Sequence, residues 1–348
     1  MTAALPDDCA RLLAFQHEVI ARWQAPAVGL SPAVIDGQLR RGRWQPLYVG
    51  VYAAYTGAPP RESLLWAGVL RAGRDAVLSH HTAAELDGLT DHPGESLHVT
   101  VDRKRRVEIS GGRRHELAPA IVLHRTSRFD AIRHPARTPP RTRIEETVLD
   151  LVALSISFDD AFSWLSRGCG RRLVTPQQLH QALDARGRVR WRDEILAALA
   201  VIADGVHSNL EYRYVRDVER PHGLPEATRQ ARMLQGSRSH YLDNLYQPFG
   251  VAVELDGRAY HLVEDRWRDI RKDNVSATSG IMTLRFSWGD VTRRPCAVAA
   301  DVAGALRQRG WPGPASRCNR ACPAFCRYRG GSSVHRTVVP PRCSIMGR

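Results

Sequence analysis

The chain has 348 residues, of which 43% are hydrophobic and 25% are charged, and these ordinary values exclude wholesale disorder. Its formal net charge is +14, from 50 basic and 36 acidic residues, which favours a polyanionic partner. No apolar run approaches the length of a membrane span, and no signal peptide precedes the acidic start at Asp7 and Asp8, so we expect a cytoplasmic protein without a membrane partner.

The length predicts two to three domains, and the sequence pattern divides the chain into four segments. The first segment, residues 9–57, begins with apolar residues at helical spacing, including Val19 and Ile20. Ser31-Pro32 then supplies an N-cap and a first-turn proline for a second helix, which Gly42 ends near Arg41. Residues 43–52 alternate like a short hairpin.

Two short helices joined by a glycine-containing turn and followed by a hairpin are typical of a winged helix-turn-helix, which inserts its second helix into the DNA major groove. The candidate recognition residues are polar or basic and cluster at the end of that helix: Gln38, Arg40, Arg41 and Arg43. Arginine and glutamine suit guanine and adenine edges, and arginine also suits phosphates. The alternative is a small helical subdomain with a solvated basic end.

The second segment, residues 60–203, predicts a mixed α/β middle domain that becomes helical. Helices are expected around residues 64–70, 83–89 and 146–154, and strands at residues 97–101 and 121–124. A helical stretch follows over roughly residues 159–203. His80 and His81 lie near a predicted helix start, where packing or capping is the expected role.

Residues 29–31, 39–44, 50–52, 78–89 and 142–151 resemble the AbiEi-type antitoxins. The likeness spans roughly residues 10–155. That family is known for transcriptional autoregulation in type IV toxin–antitoxin systems. The resemblance therefore implies an N-terminal winged helix that binds double-stranded DNA, with the operator of a cognate toxin operon as a possible target.

The third segment, residues 206–312, carries the strongest chemical signal. Residues 239–246 and 250–256 predict two strands, and a four-residue loop between Tyr246 and Val251 would set Asp243 opposite Glu254. Asp256 shares the face of Glu254, because side chains on a strand alternate with period two. A divalent cation, Mg²⁺ or Mn²⁺, would relieve the repulsion between these carboxylates and could activate water at a phosphodiester.

This pattern is similar to the restriction-endonuclease-like, or PD-(D/E)xK, core with its α/β fold and mixed sheet. More narrowly, Glu211 and residues 229–230, 241–243, 253–257, 261 and 284–286 resemble a domain of unknown function related to the very-short-patch-repair endonucleases. The resemblance implies that Asp243 and Glu254 ligate metal, that Glu211 is a third acid, and that His261 is a general base or assists the leaving oxygen.

Several alternatives stay open in this segment. The third element of the PD-(D/E)xK signature is acid-x-Lys, but this chain has Glu254-Leu255-Asp256, so the water-orienting lysine is absent. His261 could substitute for it, since imidazole moves protons near neutral pH. Glu211 could instead form a capping box with Ser208, and Asp256 could begin a turn.

The last segment, residues 313–348, is a basic, cysteine-rich tail that we expect to be disordered. Four of the seven cysteines crowd it, with His335 nearby: Cys318, Cys322, Cys326 and Cys343. Zinc binding by these residues is the alternative, although zinc knuckles usually use tighter cysteine pairs.

Two functional hypotheses follow from the whole sequence. One is a DNA-binding protein with a metal-dependent endonuclease domain, and the other is a non-enzymatic, antitoxin-like repressor with a degenerate nuclease fold. A nuclease acting on RNA is a third possibility, because carboxylate sites do not declare the sugar of their substrate.

Overall fold

The computed structural model describes residues 5–109, 115–206, 208–235, 238–256 and 280–325. It shows a mixed α/β protein whose described strands form two three-stranded sheets and one four-stranded sheet. The chain divides into two compact units, Met1–Tyr212 and Arg213–Arg348. Within the described ranges, no helix combines the length and the apolar character needed to cross a bilayer.

The first unit opens with two helices and a small antiparallel sheet. The elements in chain order are α1 (Asp7–Phe15), β1 (Val19–Ala21), a 3-10 turn (Ala25–Val28), α2 (Pro32–Arg40), β2 (Gln45–Tyr48) and β3 (Val51–Ala53). The sheet order is β1-β3-β2, so the hairpin of β2 and β3 is extended by the earlier strand β1. The predicted second helix and hairpin are both confirmed.

Strand β1 corrects the sequence analysis, which placed Val19 and Ile20 at helical spacing. Helix α1 ends at Phe15, and the next turn contains His17 and Glu18 at φ values of 52° and 61°. That left-handed pair reverses the chain, and the β-branched residues after it are extended and fully buried against β3. Tertiary burial therefore decides a segment whose periodicity is too short to separate helix from strand.

The rest of the first unit is a second sheet covered by helices. In chain order the elements are α3 (Arg61–Ala72), β4 (Val77–Leu78), α4 (His80–Leu86), β5 (Ser96–Asp102), β6 (Ala120–Thr126), α5 (Phe129–Ile132), α6 (Ile144–Leu154), α7 (Phe158–Gly170), α8 (Pro176–Asp184), α9 (Arg192–Ala203) and α10 (Asn209–Arg213). Strand β5 is central, antiparallel to β4 and parallel to β6. Helix α4 begins at His80, three residues earlier than predicted, and ends before Gly88, whose φ is 70°.

The second unit begins with a π-helical segment and builds a four-stranded mixed sheet. Its elements are the π-helical segment (Tyr214–Glu219), β7 (Thr228–Gln235), β8 (Arg238–Tyr246), a 3-10 turn (Gln247–Phe249), β9 (Val251–Asp256), β10 (Met282–Ser287), α11 (Trp288–Arg293) and α12 (Pro295–Gln308). The sheet order is β10-β9-β8-β7, with only β10 and β9 parallel. Helix α12 packs against β9 and β10 and contributes the buried residues Val298, Val302 and Leu306.

A buried polar network ties the π-helical segment to this sheet. The Arg229 guanidinium donates to the carboxylate of Glu219 and to the side-chain oxygen of Asn244. The Tyr246 hydroxyl donates to Glu219 over 3.0 Å and lies 2.7 Å from the hydroxyl of Tyr214. All five side chains are nearly inaccessible to solvent, so each charge and hydroxyl has its partner inside the protein.

Residues 313–325 differ from the expected disordered tail. Cys322 is 2% exposed, and the amide of Ser316 donates to the carbonyl of His222 over 2.8 Å. This stretch therefore packs on the second unit. Cys326, His335 and Cys343 lie outside the described residues.

Candidate functional sites

The basic end of helix α2 is the first candidate site. Arg40, Arg41 and Arg43 are exposed, whereas Gln38 is half-buried. Ile35 and Trp44 are buried in the core and hold the helix and the start of the hairpin there, so the backbone that carries the arginines is fixed by packing. The structure therefore brings the four sequence-predicted residues together on one helix end.

Two further contacts fix this helix. Arg22 donates to Asp36 on α2 over 2.6 Å and to the Tyr52 hydroxyl on β3 over 2.9 Å. The hydrogen bond from Arg22 lowers the pKa of Asp36. The Arg41 guanidinium folds over Gly37, where an added Cβ would lie 3.1 Å from its nitrogen. A side chain at position 37 would push that guanidinium outward.

Three carboxylates of the second unit lie where the pairing of strands β8 and β9 ends, and we call this site the carboxylate fork, formed by Asp243, Glu254 and Asp256. Strands β8 and β9 pair as Tyr246↔Val251, Leu245↔Ala252 and Asn244↔Val253, which confirms the predicted register. The β8–β9 pairing ends there, one residue before Asp243 and Glu254 would meet. Beyond that point β8 remains paired with β7, and β9 remains paired with β10 as far as Asp256.

Asp243 connects the two strands just beyond their last paired residues. One of its carboxylate oxygens accepts the backbone amide of Leu255 over 2.9 Å, and the other lies 3.4 Å from the side-chain amide of Gln230. These contacts turn the carboxylate toward strand β9, the strand that carries Glu254. Since a carboxylate has about four lone-pair sites, Asp243 retains acceptor capacity for a further ligand.

The three acids of the fork are each half-buried, and a cation lies beside them. Arg285 on β10 is the register partner of Glu254, and Ser287 is the partner of Asp256. Arg285 is exposed. The fork therefore combines carboxylates on β8 and β9 with a guanidinium on β10, which sequence reasoning missed because the partner lies 31 residues further along the chain.

Glu211 and His261 are the other predicted members of this site. Glu211 belongs to the first unit, where its amide donates to the Ser208 hydroxyl over 3.1 Å and its carboxylate accepts from that hydroxyl over 3.0 Å. The first of these contacts is one half of the capping box that the sequence left open as an alternative. His261 lies outside the described residues.

A site that sequence reasoning missed lies in the first unit, and we call it the histidine cluster, formed by His80, His98 and His124. Their ring nitrogens can be chosen so that all lie within 4.8 Å of one another. The His98 Nδ1 and His124 Nε2 atoms are 2.9 Å apart, and the rings of His80 and His124 stack with centroids 3.6 Å apart. The residues come from α4, β5 and β6, so no local motif indicates them.

The environment of the histidine cluster keeps its rings neutral. Burial, reinforced by the neighbouring imidazoles, lowers the pKa of His80 to about 2 and that of His98 to about 4. Burial also raises the pKa of Asp150, whose carboxylate lies 3.9 Å from His80 Nδ1 and accepts from Arg186 over 2.7 Å. Packing or capping was the expected role of His80, and its ring is buried, but within a polar cluster.

A cavity of about 370 Å³ adjoins the histidine cluster. His80, His124 and Asp150 line it, together with five arginines: Arg125, Arg128, Arg186, Arg188 and Arg190. The cavity therefore presents positive charge beside neutral imidazoles, an environment that suits an anion.

Comparison of the chain with protein-family models and with curated proteins finds no match to either.

Proposed function

We propose that the protein binds double-stranded DNA through helix α2 and hydrolyses phosphodiester bonds at the carboxylate fork with a divalent metal ion. The observation that carries this proposal is the end of the β8–β9 pairing one residue before Asp243 and Glu254. Carboxylates in the middle of a closed ladder would face each other across a filled surface. Here the paired ladder stops before them, and the Asp243 carboxylate, which accepts a hydrogen bond from the Leu255 amide, keeps acceptor capacity for a metal ion.

The order of elements supports the DNA-binding part of the proposal. A helix, a strand, a short helical turn, a second helix and a hairpin follow one another, and the first strand completes the sheet of the hairpin. In a winged helix-turn-helix this order presents the second helix to the major groove. Exposed Arg40, Arg41 and Arg43 would then contact phosphates or guanine edges.

The chemistry of the donors supports Mg²⁺ or Mn²⁺ at the fork. Asp243 and Glu254 would hold the ion, because hard carboxylate oxygens are the ligands that these ions prefer. Such an ion supplies Lewis-acid stabilisation of charge on the phosphate and a water of lowered pKa. Asp256 stands at the lysine position of the PD-(D/E)xK signature, and we assign it to hydrogen bonding of the attacking water.

In this proposal Arg285 supplies a positive charge at the site, which the missing lysine would otherwise provide, but it acts on the phosphate. It lies in register with Glu254 and is exposed, so its guanidinium can contact a non-bridging phosphate oxygen. That role differs from the orientation of water by lysine, since an arginine in a protein keeps its proton.

The test is cleavage of plasmid and linear DNA by the full chain in Mg²⁺, Mn²⁺ and chelator. We expect Asp243→Asn and Glu254→Gln each to abolish cleavage and to weaken Mn²⁺ binding measured by calorimetry. Asp301→Asn, an exposed acid on α12 outside the fork, is the matched control and should retain both properties. Equal cleavage by the wild type and both fork variants would show that the activity resides elsewhere.

A second candidate function is a transcriptional repressor without nuclease activity. The aspartate at the lysine position favours it, because the usual water-orienting cation is missing from β9. This candidate predicts salt-sensitive binding to an operator sequence, with no cleavage in any metal and no effect of Asp243→Asn on binding.

An RNA duplex and a single-stranded RNA of the same sequence, added to the cleavage assay, test whether the substrate is RNA rather than DNA.

A further inference from the structure

Four metal-ligating side chains converge in the second unit, and we call them the thiol–imidazole cluster. Its members are His222, Cys296, Cys318 and Cys322. One ligand atom from each can be chosen so that all four lie within 4.8 Å of one another. All three sulfur atoms belong to free cysteines, so no disulfide accounts for their proximity.

Two distances within the cluster lie close to the edges of a zinc coordination tetrahedron. With Zn–S bonds of about 2.3 Å and a Zn–N bond of about 2.0 Å, tetrahedral geometry separates two sulfurs by about 3.8 Å and a sulfur from the nitrogen by about 3.5 Å. The Cys296 and Cys318 sulfurs are 3.6 Å apart, and the Cys322 sulfur is 3.7 Å from His222 Nε2. A disulfide would require about 2.05 Å between sulfurs.

His222 is oriented as a metal ligand. Its Nδ1 lies 2.8 Å from the carbonyl oxygen of Val218, and a carbonyl can only accept, so Nδ1 carries the proton. The lone pair then resides on Nε2, the atom that faces Cys322. Metal-bound histidines commonly donate a hydrogen bond from the N–H of their second ring nitrogen, which fixes the tautomer and the ring plane. His222 is fully buried, so the geometry of both ring nitrogens is fixed by the protein.

The chain around Cys318 and Cys322 is folded for this convergence. The amide of Cys322 donates to the carbonyl of Asn319 over 3.2 Å, and the Asn319 side chain accepts the amide of Ala321 over 2.9 Å. This tight turn brings both thiols to one side. The amide of Ser316 pairs with the carbonyl of His222, so the turn is fixed beside the histidine.

We propose that His222, Cys296, Cys318 and Cys322 bind one zinc ion as a structural site. Three thiolates and one imidazole select zinc over Mg²⁺ and Mn²⁺, which prefer oxygen ligands. Four protein ligands complete the tetrahedron and leave no position for water or substrate, as in structural rather than catalytic sites. The site holds residues 313–325 against α12 and the loop that contains His222, and it is independent of the metal proposed at the carboxylate fork.

The first test is the metal content and the cobalt spectrum of the full chain. Protein purified under reducing conditions without chelator should contain one zinc ion per chain. After exchange with Co²⁺ it should show thiolate-to-cobalt charge-transfer bands in the near ultraviolet and the intense visible bands of tetrahedral cobalt. The charge-transfer bands need thiolate ligands, so cobalt bound to the histidine cluster or the carboxylate fork would not produce them. Their absence would overturn the proposal, as would a Cys296–Cys318 disulfide in place of the metal.

The second test uses variants. Cys318→Ser and Cys322→Ser should each lose the zinc, whereas Cys169→Ser, which removes a thiol of the first unit, should keep it. His222→Cys should keep the ion and gain charge-transfer intensity in the cobalt form, which distinguishes ligation from a general effect on folding. Full zinc content in both cysteine variants would place the ion outside the cluster.

Discussion

Acidification should destabilise the first unit through His80. The pKa of this buried imidazole is lowered from 6.5 to about 2, while the unfolded chain retains the ordinary value. Below the pKa that His80 has in the unfolded chain, the unfolded state therefore binds a proton at this ring, whereas the native state keeps the ring neutral. Stability is complete above that value and falls as the pH drops from 6.5 toward 2.

The expected size of the effect follows from this linkage. At about 1.4 kcal/mol per pH unit, lowering the pH from about 7 to about 5 removes roughly 2 kcal/mol through His80 alone. The groups that face this ring do not cancel the effect. The pKa values of His98 and His124 are also lowered, so these two residues likewise lose native stability on acidification, and the charge of Asp150 is paired with Arg186. The side chain of His80 is 10% exposed, so solvent screens the effect little.

The assay is urea denaturation at several pH values, followed by hydrogen exchange of peptides from β5 and β6 to isolate the first unit. His80→Asn is the test variant, because asparagine tolerates the positive φ of 49° at this position. It should lose about 2 kcal/mol less than the wild type between these pH values. His180→Asn, which alters an imidazole that is 53% exposed, should behave as the wild type. Equal acid sensitivity in His80→Asn would refute the reasoning.

Three further predictions concern other parts of the molecule. Replacing Arg40 and Arg41 by glutamine should weaken DNA binding and reduce the slope of log K against log salt by about 0.9 for each phosphate that is no longer neutralised, measured by fluorescence anisotropy; an unchanged slope contradicts the assignment. Glu219→Gln leaves Arg229 buried without its charge partner and should cost about 3–5 kcal/mol in urea denaturation, and a loss below about 1 kcal/mol would mean that the network is not essential. Phe162→Ala removes a fully buried ring that stacks on Tyr212 at 4.4 Å and should cost about 3–5 kcal/mol in the same assay; a loss near zero would show that the site collapses around the cavity.

Local signals in the sequence were sufficient where a few adjacent residues determine the backbone. Ser31-Pro32 and Gly42 delimit helix α2, and the observed helix Pro32–Arg40 agrees. The four-residue connection Gln247–Gly250 likewise sets the β8–β9 register, since Gly250 adopts the left-handed conformation at a φ of 58° that such a turn requires.

Signals that depend on distant residues could not be read from the sequence. The three residues Val19–Ala21 are too few for their periodicity to separate strand from helix, and only the pairing with β3 decides their conformation. The histidine cluster and the thiol–imidazole cluster each draw on several elements, so no spacing rule reveals them. The end of the β8–β9 pairing at Asn244 is also invisible to a rule of alternation, which would continue the ladder through the carboxylates.

The position of Cys322 determines where a truncated form of the second unit should end. The boundary at residue 312 that composition alone recommends would discard two of the sulfurs that surround His222 and would expose an imidazole that is now fully covered. Expression vectors for the second unit should therefore extend at least through residue 325.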